Sequence, residues 1–366
     1  MDTKKEKTGF SPQASEKNNG HDQPQLITAP EISLAKGGGA IKGIDEKFSV
    51  NAVNGSASFT IPLPFSQARG LTPSLSLAYN SGTGNGIFGL GWSLGLGTIK
   101  RKTERQLPRY LDAEDSDSFL FSGAEDLVPE FKKDINDQYR IHEKQSSDHL
   151  FTIRFYKPRT EGLFARIERW TSIKNGTIKW RVISKDNITT LYGNWISESE
   201  HLLTAVISDP EDHNRIFQWF PQFIFDDKGN CLQYLYKQEN DAGFNSSLTH
   251  NRNRKKQGRL TYTNLYIEKI LYGNKHPYLT LDSSFPDQSE YYFTTVFDYG
   301  EYNNNTPYQQ IRQWDFRKDA FSSYTAGFEI RTTRLCKRIL LLHHFDTDDE
   351  YNGLVKSINF EYDSSS

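Results

Sequence analysis

The sequence predicts an all-β, mainly antiparallel protein: a large twisted sheet or meander of strand–turn units with a Gly-rich loop and few short helices. Three observations carry this. Aromatic residues make up 13% of the chain, dominated by Phe and Tyr, with a single Met; wide rings pack well across neighbouring strands. Apolar and polar residues alternate in short runs bounded by Asn, Asp and Gly turns. No segment sustains a helical period beyond about three turns.

Residues 1–30 combine Lys, Asn, Gln, Ser and Glu with almost no aliphatic side chains and are expected to form a disordered tail. A single β-rich domain is expected over 31–363, with order from Ile32. FSVNAVNGSASFTIPLPFS reads as strand, Asn54-Gly55 turn, strand. Pro62 and Pro64 remove two donors from one side of that strand, which makes it an edge or a strand exit. LTPSLSLAYNS follows as a strand alternating Leu75, Leu77 and Tyr79.

The next stretch carries Gly82, Gly84, Gly86, Gly89, Gly91, Gly95 and Gly97. At about 1 kcal/mol per glycine a helix is excluded. A tightly wound loop with Trp92 turned inward is expected, and a β-branched residue at Gly91 is expected to disrupt folding.

Strand patterns then recur in HLFTIRFYKPR, FARIERWTSI, TIKWRVIS, DNITTLYGNW and HLLTAVISDPED, and in RIFQWF, FIF and LQYLY around a predicted turn at Asp227-Lys228-Gly229-Asn230. Residues 238–259 read as a mobile polar surface insertion. YTNLYIEKILYGN, YLTLDSS, YYFTTVFDYGEY and VKSINFEYD read as further strands. FEIRTTRLCKRILLLHH reads as one long strand or bent hairpin arm, because Thr332-Thr333 and the Ile330–Arg331 alternation oppose a helix. LYGN occurs at 191–194 and again at 271–274, fitting a sheet of similar strand–turn units.

The formal net charge of −2 gives no electrostatic reason for a nucleic-acid partner or an anionic membrane. Cys231 and Cys336 form no CxxC pair and are expected to be two free, partly buried thiols. The charged N-terminal residues lack the apolar core of a Sec signal peptide, and no apolar run reaches the ~18 residues of a spanning helix.

Several motifs invite a chemical reading. Gly84-Asn85-Gly86-Ile87-Phe88-Gly89 spells GxGxxG, but a dinucleotide site needs a helix after it, which Gly91, Gly95 and Gly97 forbid. Gly37-Gly38-Gly39 lacks the Lys and Ser/Thr of a phosphate loop. His343 and His344 are adjacent on a strand and point to opposite faces, so they share no metal; one packed and one exposed imidazole is expected. Asp112, Glu114, Asp115 and Asp117 lack the spacing of a calcium loop and read as solvated, as do Asp346, Asp348, Asp349 and Glu350. Arg252, Arg254, Lys255, Lys256 and Arg259 have no interleaved aromatics, which disfavours nucleic acid. Glu198-Ser199-Glu200 matches the paired glutamates of arginine-directed ADP-ribosyltransferases, but no Ser-Thr-Ser strand accompanies it. No catalytic, cofactor or metal residue is therefore assigned.

Five segments together resemble the SpvB N-terminal domain family: ISLAKGGGAIKGI, the run over 58–94, YKPRTEGLFARIERW, VFDYGE and FSSYTAGFEIRTTRLCKRILLLHHF. The resemblance marks as structural motif residues Gly37, Gly38, Gly39, Pro62, Pro64, Gly84, Gly86, Gly89, Gly91, Trp92, Arg159 and Glu161. It marks equally Asp298, Tyr299, Gly300, Gly327, Phe328, Glu329 and Arg331. It implies a non-catalytic assembly module of a bacterial toxin, part of the β-sheet shell that encloses a toxic passenger. The implied partners are the remainder of a larger toxin chain, an RHS-repeat C component and a pore-forming A component. It implies secretion as part of a toxin, without a Sec signal peptide. FDYGE, FEYD and FDDKGN are similar to YD-type strand–turn units, which suits a shell wall. Two other readings are an N-terminal delivery domain of an ADP-ribosyltransferase toxin and a carbohydrate-binding adhesion module.

Overall fold

The structure, a computed structural model, describes residues 26–28, 47–50, 56–123, 125–160, 162–195, 205–279, 284–304, 306, 309–345 and 351–363. Gly37-Gly38-Gly39, Asn54-Gly55, Glu161, Glu198-Ser199-Glu200 and the acidic run from Asp346 to Glu350 lie outside the described residues, as does most of 1–30. Leu26–Thr28, at the end of the segment expected to lack order, pairs in parallel with Thr72–Ser74.

The fold is all-β. Its main sheet has 16 strands, and the described helical turns are three short 3-10 turns, the first at Asp112–Glu114. The sheet divides into two halves. In the first, Ile99–Arg101, Phe119–Phe121, Glu125–Pro129, Phe151–Pro158, Arg166–Ser172, Ile178–Ile183 and Thr189–Tyr192 pair antiparallel in succession. One run of chain joins the two ends of this series. Ile216–Trp219 pairs with Ile99–Arg101, and Pro221–Phe225, one residue later, pairs with Thr189–Tyr192. The ribbon thus closes into a barrel, which removes its free edges.

Inward-facing alternate residues fill this barrel with rings. Trp180 and Trp219 are fully buried, and Phe119 lies 5.0 Å from the first and 5.8 Å from the second. Trp219 Nε1 donates across the interior to the Ile178 carbonyl at 2.7 Å. Among the described residues, these rings and the aliphatic side chains around them fill the interior.

The second half runs Pro221–Phe225, Cys231–Gln238, Leu265–Asn274, Tyr291–Asp298, Arg338–His343 and Gly353–Asn359 as an antiparallel meander. A four-stranded sheet of Lys47–Val50, Ala57–Pro62, Ser76–Asn80 and Trp92–Leu94 covers one face of it. The core between them includes Leu63, Leu75, Leu77, Phe88, Ile267, Phe297 and Ile339.

Turn chemistry explains why these strands end where they do. Asp226 Oδ1 accepts from the amides of Lys228 and Asn230, both at 2.9 Å, and Gly229 sits at φ +82°. Asp134 repeats the pattern with Asn136 (2.8 Å) and Gln138 (3.0 Å), with Asp137 at φ +63°. A short carboxylate that bonds the backbone two residues ahead presets such turns.

The two LYGN segments are structural equivalents. Each Leu is buried in the same cluster, and each Gly has positive φ: +85° at Gly193 and +69° at Gly273. A Cβ at Gly193 would stand 2.8 Å from the Trp219 ring, and one at Gly273 2.6 Å from the Phe293 ring. Asn194 Oδ1 accepts from the Ala205 amide at 3.0 Å; Asn274 Oδ1 accepts from the Cys231 amide at 2.9 Å. Gly273→Ala is expected to cost about 2–4 kcal/mol, from left-handed backbone strain plus overpacking. A shift in urea midpoint read by tryptophan fluorescence checks this.

Three expectations need correction. FEIRTTRLCKRILLLHH is two strands, Ile330–Thr332 and Arg338–His343, in different sheets, because the chain between them dives inward. Trp92 does turn inward, half-buried against Phe59, Tyr79 and the core that Phe88 enters more deeply. His343 and His344 are both half-buried and hydrogen-bonded, to Ser66 Oγ at 2.7 Å and Thr294 Oγ1 at 2.9 Å. The acidic 112–117 loop is not simply solvated. Asp112 and Asp117 both pair at 2.7 Å with Arg101, whose side chain is fully buried. The two cysteines are free, as expected, and both are fully buried.

Candidate functional site

Most of the motif residues lie at one buried polar junction in the second half of the molecule. Its centre is an ion pair that sequence reasoning did not single out. Arg334 and Glu239 have side chains 0% and 1% exposed and meet at 2.8 Å. Arg334 donates further to the carbonyls of Asn240 and Ala242, both at 2.9 Å. Glu239 also accepts from Tyr266 Oη at 2.7 Å and from the Thr333 hydroxyl. The Arg334 guanidinium lies 4.5 Å from the centre of the Trp314 ring. Burial of two charges is tolerable only with this degree of satisfaction. Glu239 opens the segment read as a mobile insertion, so that segment begins inside the core.

The FEIRTTRL segment builds one wall. Gly327 turns the chain at φ +83°, and Phe328 is buried beside Ala326. Glu329 accepts from Arg254 Nε at 2.9 Å and from Ser322 Oγ at 2.6 Å. Arg331 is buried and donates to Ser322 Oγ at 2.9 Å. Of the basic run, Arg254 serves Glu329 and Lys255 pairs at the surface with Asp241 at 2.7 Å, while Arg252, Lys256 and Arg259 are exposed.

FDYGE builds the second wall. Asp298 Oδ1 accepts from the Gly300 amide at 2.8 Å, and Oδ2 pairs with Arg338 at 2.5 Å. Tyr299 is fully buried and donates to the Ile267 carbonyl at 2.9 Å. Gly300, at φ +104°, leaves room for Asp315; a Cβ there would fall 2.5 Å from its carboxylate. Burial holds the Glu301 carboxyl above the usual range against the opposing pull of Lys237. Burial likewise drives the Tyr299 and Tyr266 phenols and the Cys336 thiol well above their ordinary values, so none of them ionises near neutrality.

The Gly-rich loop closes the junction. Asn85–Gly86 pairs with Gly89–Leu90 as a miniature hairpin. The Gly91 amide donates to the Gly84 carbonyl at 3.1 Å. The Cys336 amide donates to the Ile87 carbonyl at 2.8 Å, and Arg317 donates to the Gly86 carbonyl at 2.8 Å. Arg317 also holds Asp319, depressing its carboxyl to about 2. The GxGxxG spelling thus serves a β-turn whose carbonyls accept from the FEIRTTRL and Arg317 segments, with no helix end aimed at a phosphate.

The remaining motif residues lie elsewhere. Pro62 ends the Ala57–Pro62 strand beyond its last partner in Lys47–Val50, and Pro64 follows outside it, so the exit reading holds. Arg159 is exposed, 3.7 Å from Asp126.

Glu168 is the second deeply placed carboxylate, with a side chain 0% exposed. Burial pushes its pKa up, but hydrogen bonds and charge from Arg181, with Trp170 and Arg166, outweigh it and leave the pKa lowered. A depressed carboxylate stabilises above its unfolded value, 4.5, and that contribution is lost as pH falls through the folded value. The stability gap between the parent and Glu168→Gln is therefore expected to narrow below pH 4.5. Urea titrations at a series of pH values measure it.

Residues 51–345 match the family described as Salmonella virulence plasmid 65kDa B protein, SpvB. The chain belongs to the SpvB family. The Mono(ADP-ribosyl)transferase SpvB of Salmonella choleraesuis (strain SC-B67) is 36% identical over 350 residues, covering 93% of this chain and 55% of that protein. The chain thus spans about half the length of the curated relatives it matches. Among solved structures, the N-terminal domain of effector protein SpvB from Salmonella typhimurium strain LT2 matches with TM-score 0.69 and 33% identity, over 83% of this chain and 93% of that one. TcdB2-TccC3 matches with TM-score 0.71 and 34% identity, over 92% of this chain and 16% of that one. The Photorhabdus luminescens Tc holotoxin pore matches with TM-score 0.72 and 34% identity, over 92% and 15%. Of the five segments that carried the resemblance, three build the junction: the glycine loop, FDYGE and FEIRTTRL.

Proposed function

We propose that this chain is a non-catalytic structural module of a bacterial toxin. It would form a piece of β-sheet wall in a Tc-type assembly that encloses and delivers a toxic passenger. The observation that carries the reading is the fit of 92% of the chain onto 16% of a TcdB2-TccC3 chain. The junction supports it. Its central side chains are spent on internal bonds, and Arg334 and Glu239 present no face to a substrate. The partners on this reading are the rest of a larger toxin chain, an RHS-type C component and a pore-forming A component. Export would proceed as part of that toxin. The test grafts this chain into TcdB2 in place of the matched segment and co-expresses it with TccC3. Co-purification of a complex of parental size is expected; failure of the folded graft to retain TccC3 would sink the proposal.

A second reading, the N-terminal domain of an ADP-ribosyltransferase toxin, is favoured by the match to 93% of the SpvB N-terminal domain. Both readings expect no NAD turnover by this chain alone. Turnover of labelled NAD above buffer rate would contradict both. A sugar-binding reading fares worse. The exposed-side candidates Trp170 and Trp195 are capped by cations, Arg181 at 4.8 Å and Lys179 at 4.1 Å from their ring centres.

A further inference from the structure

Buried and half-buried arginines are matched at short range, as Arg101, Arg254 and Arg334 show. One concavity gathers several cations without such partners. It lies outside the barrel, has a volume of about 540 Å³, and is lined by Lys132, Lys144, Lys157 and Arg166 around His142 and Phe155. The cations come from four strands: Phe131–Lys133, Glu143–Gln145, Phe151–Pro158 and Arg166–Ser172.

The floor is fixed. His142 stacks on Phe155 at 3.9 Å with an interplanar angle of 13°, and its Nδ1 lies 3.0 Å from Glu130. Arg166 stands 5.3 Å over the Phe155 ring and shares its charge with Glu168 at 2.5 Å. Glu130 is the only acid among the lining residues, and it faces His142. Lys132, Lys144 and Lys157 have no ion-pair partner among the described residues. Three ammonium groups thus line one hollow that holds a single lining carboxylate, Glu130.

We propose that this hollow binds a small polyphosphate. Lysine meets phosphate as a point charge that can approach from several directions, while an arginine fork fits carboxylate and phosphate alike. This protein uses the fork for its own carboxylates, as Arg101 does for Asp112 with two bonds at 2.8 and 2.7 Å. Lysines arriving from three strands suit a tetrahedral, multiply charged oxyanion.

The probe is sodium tripolyphosphate, titrated calorimetrically into the full chain at low ionic strength. The parent is expected to bind it. The triple variant Lys132→Ala, Lys144→Ala, Lys157→Ala is expected to bind at least about tenfold more weakly. A control triple variant at the exposed Lys174, Lys185 and Lys228 should leave binding unchanged. These side chains point to solvent, so circular dichroism should show both variants folded. Equal binding by the parent and the first triple variant, or none by either, overturns the proposal. Citrate binding as tightly as tripolyphosphate would show selection by charge alone and overturn the phosphate assignment.

Discussion

Glu239→Ala is expected to destabilise the protein by about 3–5 kcal/mol, because it leaves Arg334 charged, buried and unpaired. The guanidinium would keep its bonds to the Asn240 and Ala242 carbonyls, but no anion would face it. Tyr266 and Thr333 would lose their shared acceptor as well. Arg334→Met should cost a similar amount from the other side. The double variant Glu239→Ala, Arg334→Met should recover part of the loss, since removing both members of a buried pair removes the desolvation cost of each. Urea denaturation of the four proteins closes the cycle. A double variant as unstable as the sum of the singles would mean that the two residues act separately.

Gly91→Val is expected to cost roughly 2–5 kcal/mol, a large share of the about 5–15 kcal/mol that holds a typical domain together. Two penalties add. Gly91 has φ +80°, where an L-residue loses about 1–2 kcal/mol and a β-branched one fits worst. Its Cβ would also lie 2.5 Å from a Tyr79 ring carbon and 3.0 Å from the Asn80 carbonyl. Overpacking of this kind costs about 1–3 kcal/mol. Gly84→Ala is the control. No φ in the left-handed region is found there and nothing lies within 4 Å of the added Cβ, so a change within about 0.5 kcal/mol is expected. Thermal unfolding of the two variants separates the positional effect from glycine content.

The strands and their turns were legible because their causes are local. Alternation in FARIERWTSI and TIKWRVIS, and the Asp226 carboxylate ahead of Gly229, act over a few residues. The junction was not legible, because its pairs are distant in sequence: Arg334 and Glu239 stand 95 positions apart. A polar residue such as Glu239, placed just after a strand, looks identical to a solvated one until the sheet brings its counter-charge. The same holds for Asp112 and Asp117, whose partner Arg101 stands 11 and 16 positions away. FEIRTTRLCKRILLLHH was read as one arm because its alternation is nearly continuous. The break falls where Thr333 and Arg334 turn into the junction, and no local signal marks it. Trp92 turns inward as the loop predicts, and Phe88 goes deeper, its ring centre 6.3 Å from that of Phe297.

The central claim is that these motifs hold the fold up and form no mobile chemical site. Native-state hydrogen exchange of three junction amides tests it most directly. Gly300 donates to Asp298, Thr333 to Tyr266 Oη, and Cys336 to the Ile87 carbonyl. Exchange of all three only through global unfolding, with the same denaturant dependence as the Leu265–Asn274 strand, is the predicted result. Exchange through small local openings that denaturant leaves unchanged, as in a ligand-binding loop, would contradict it.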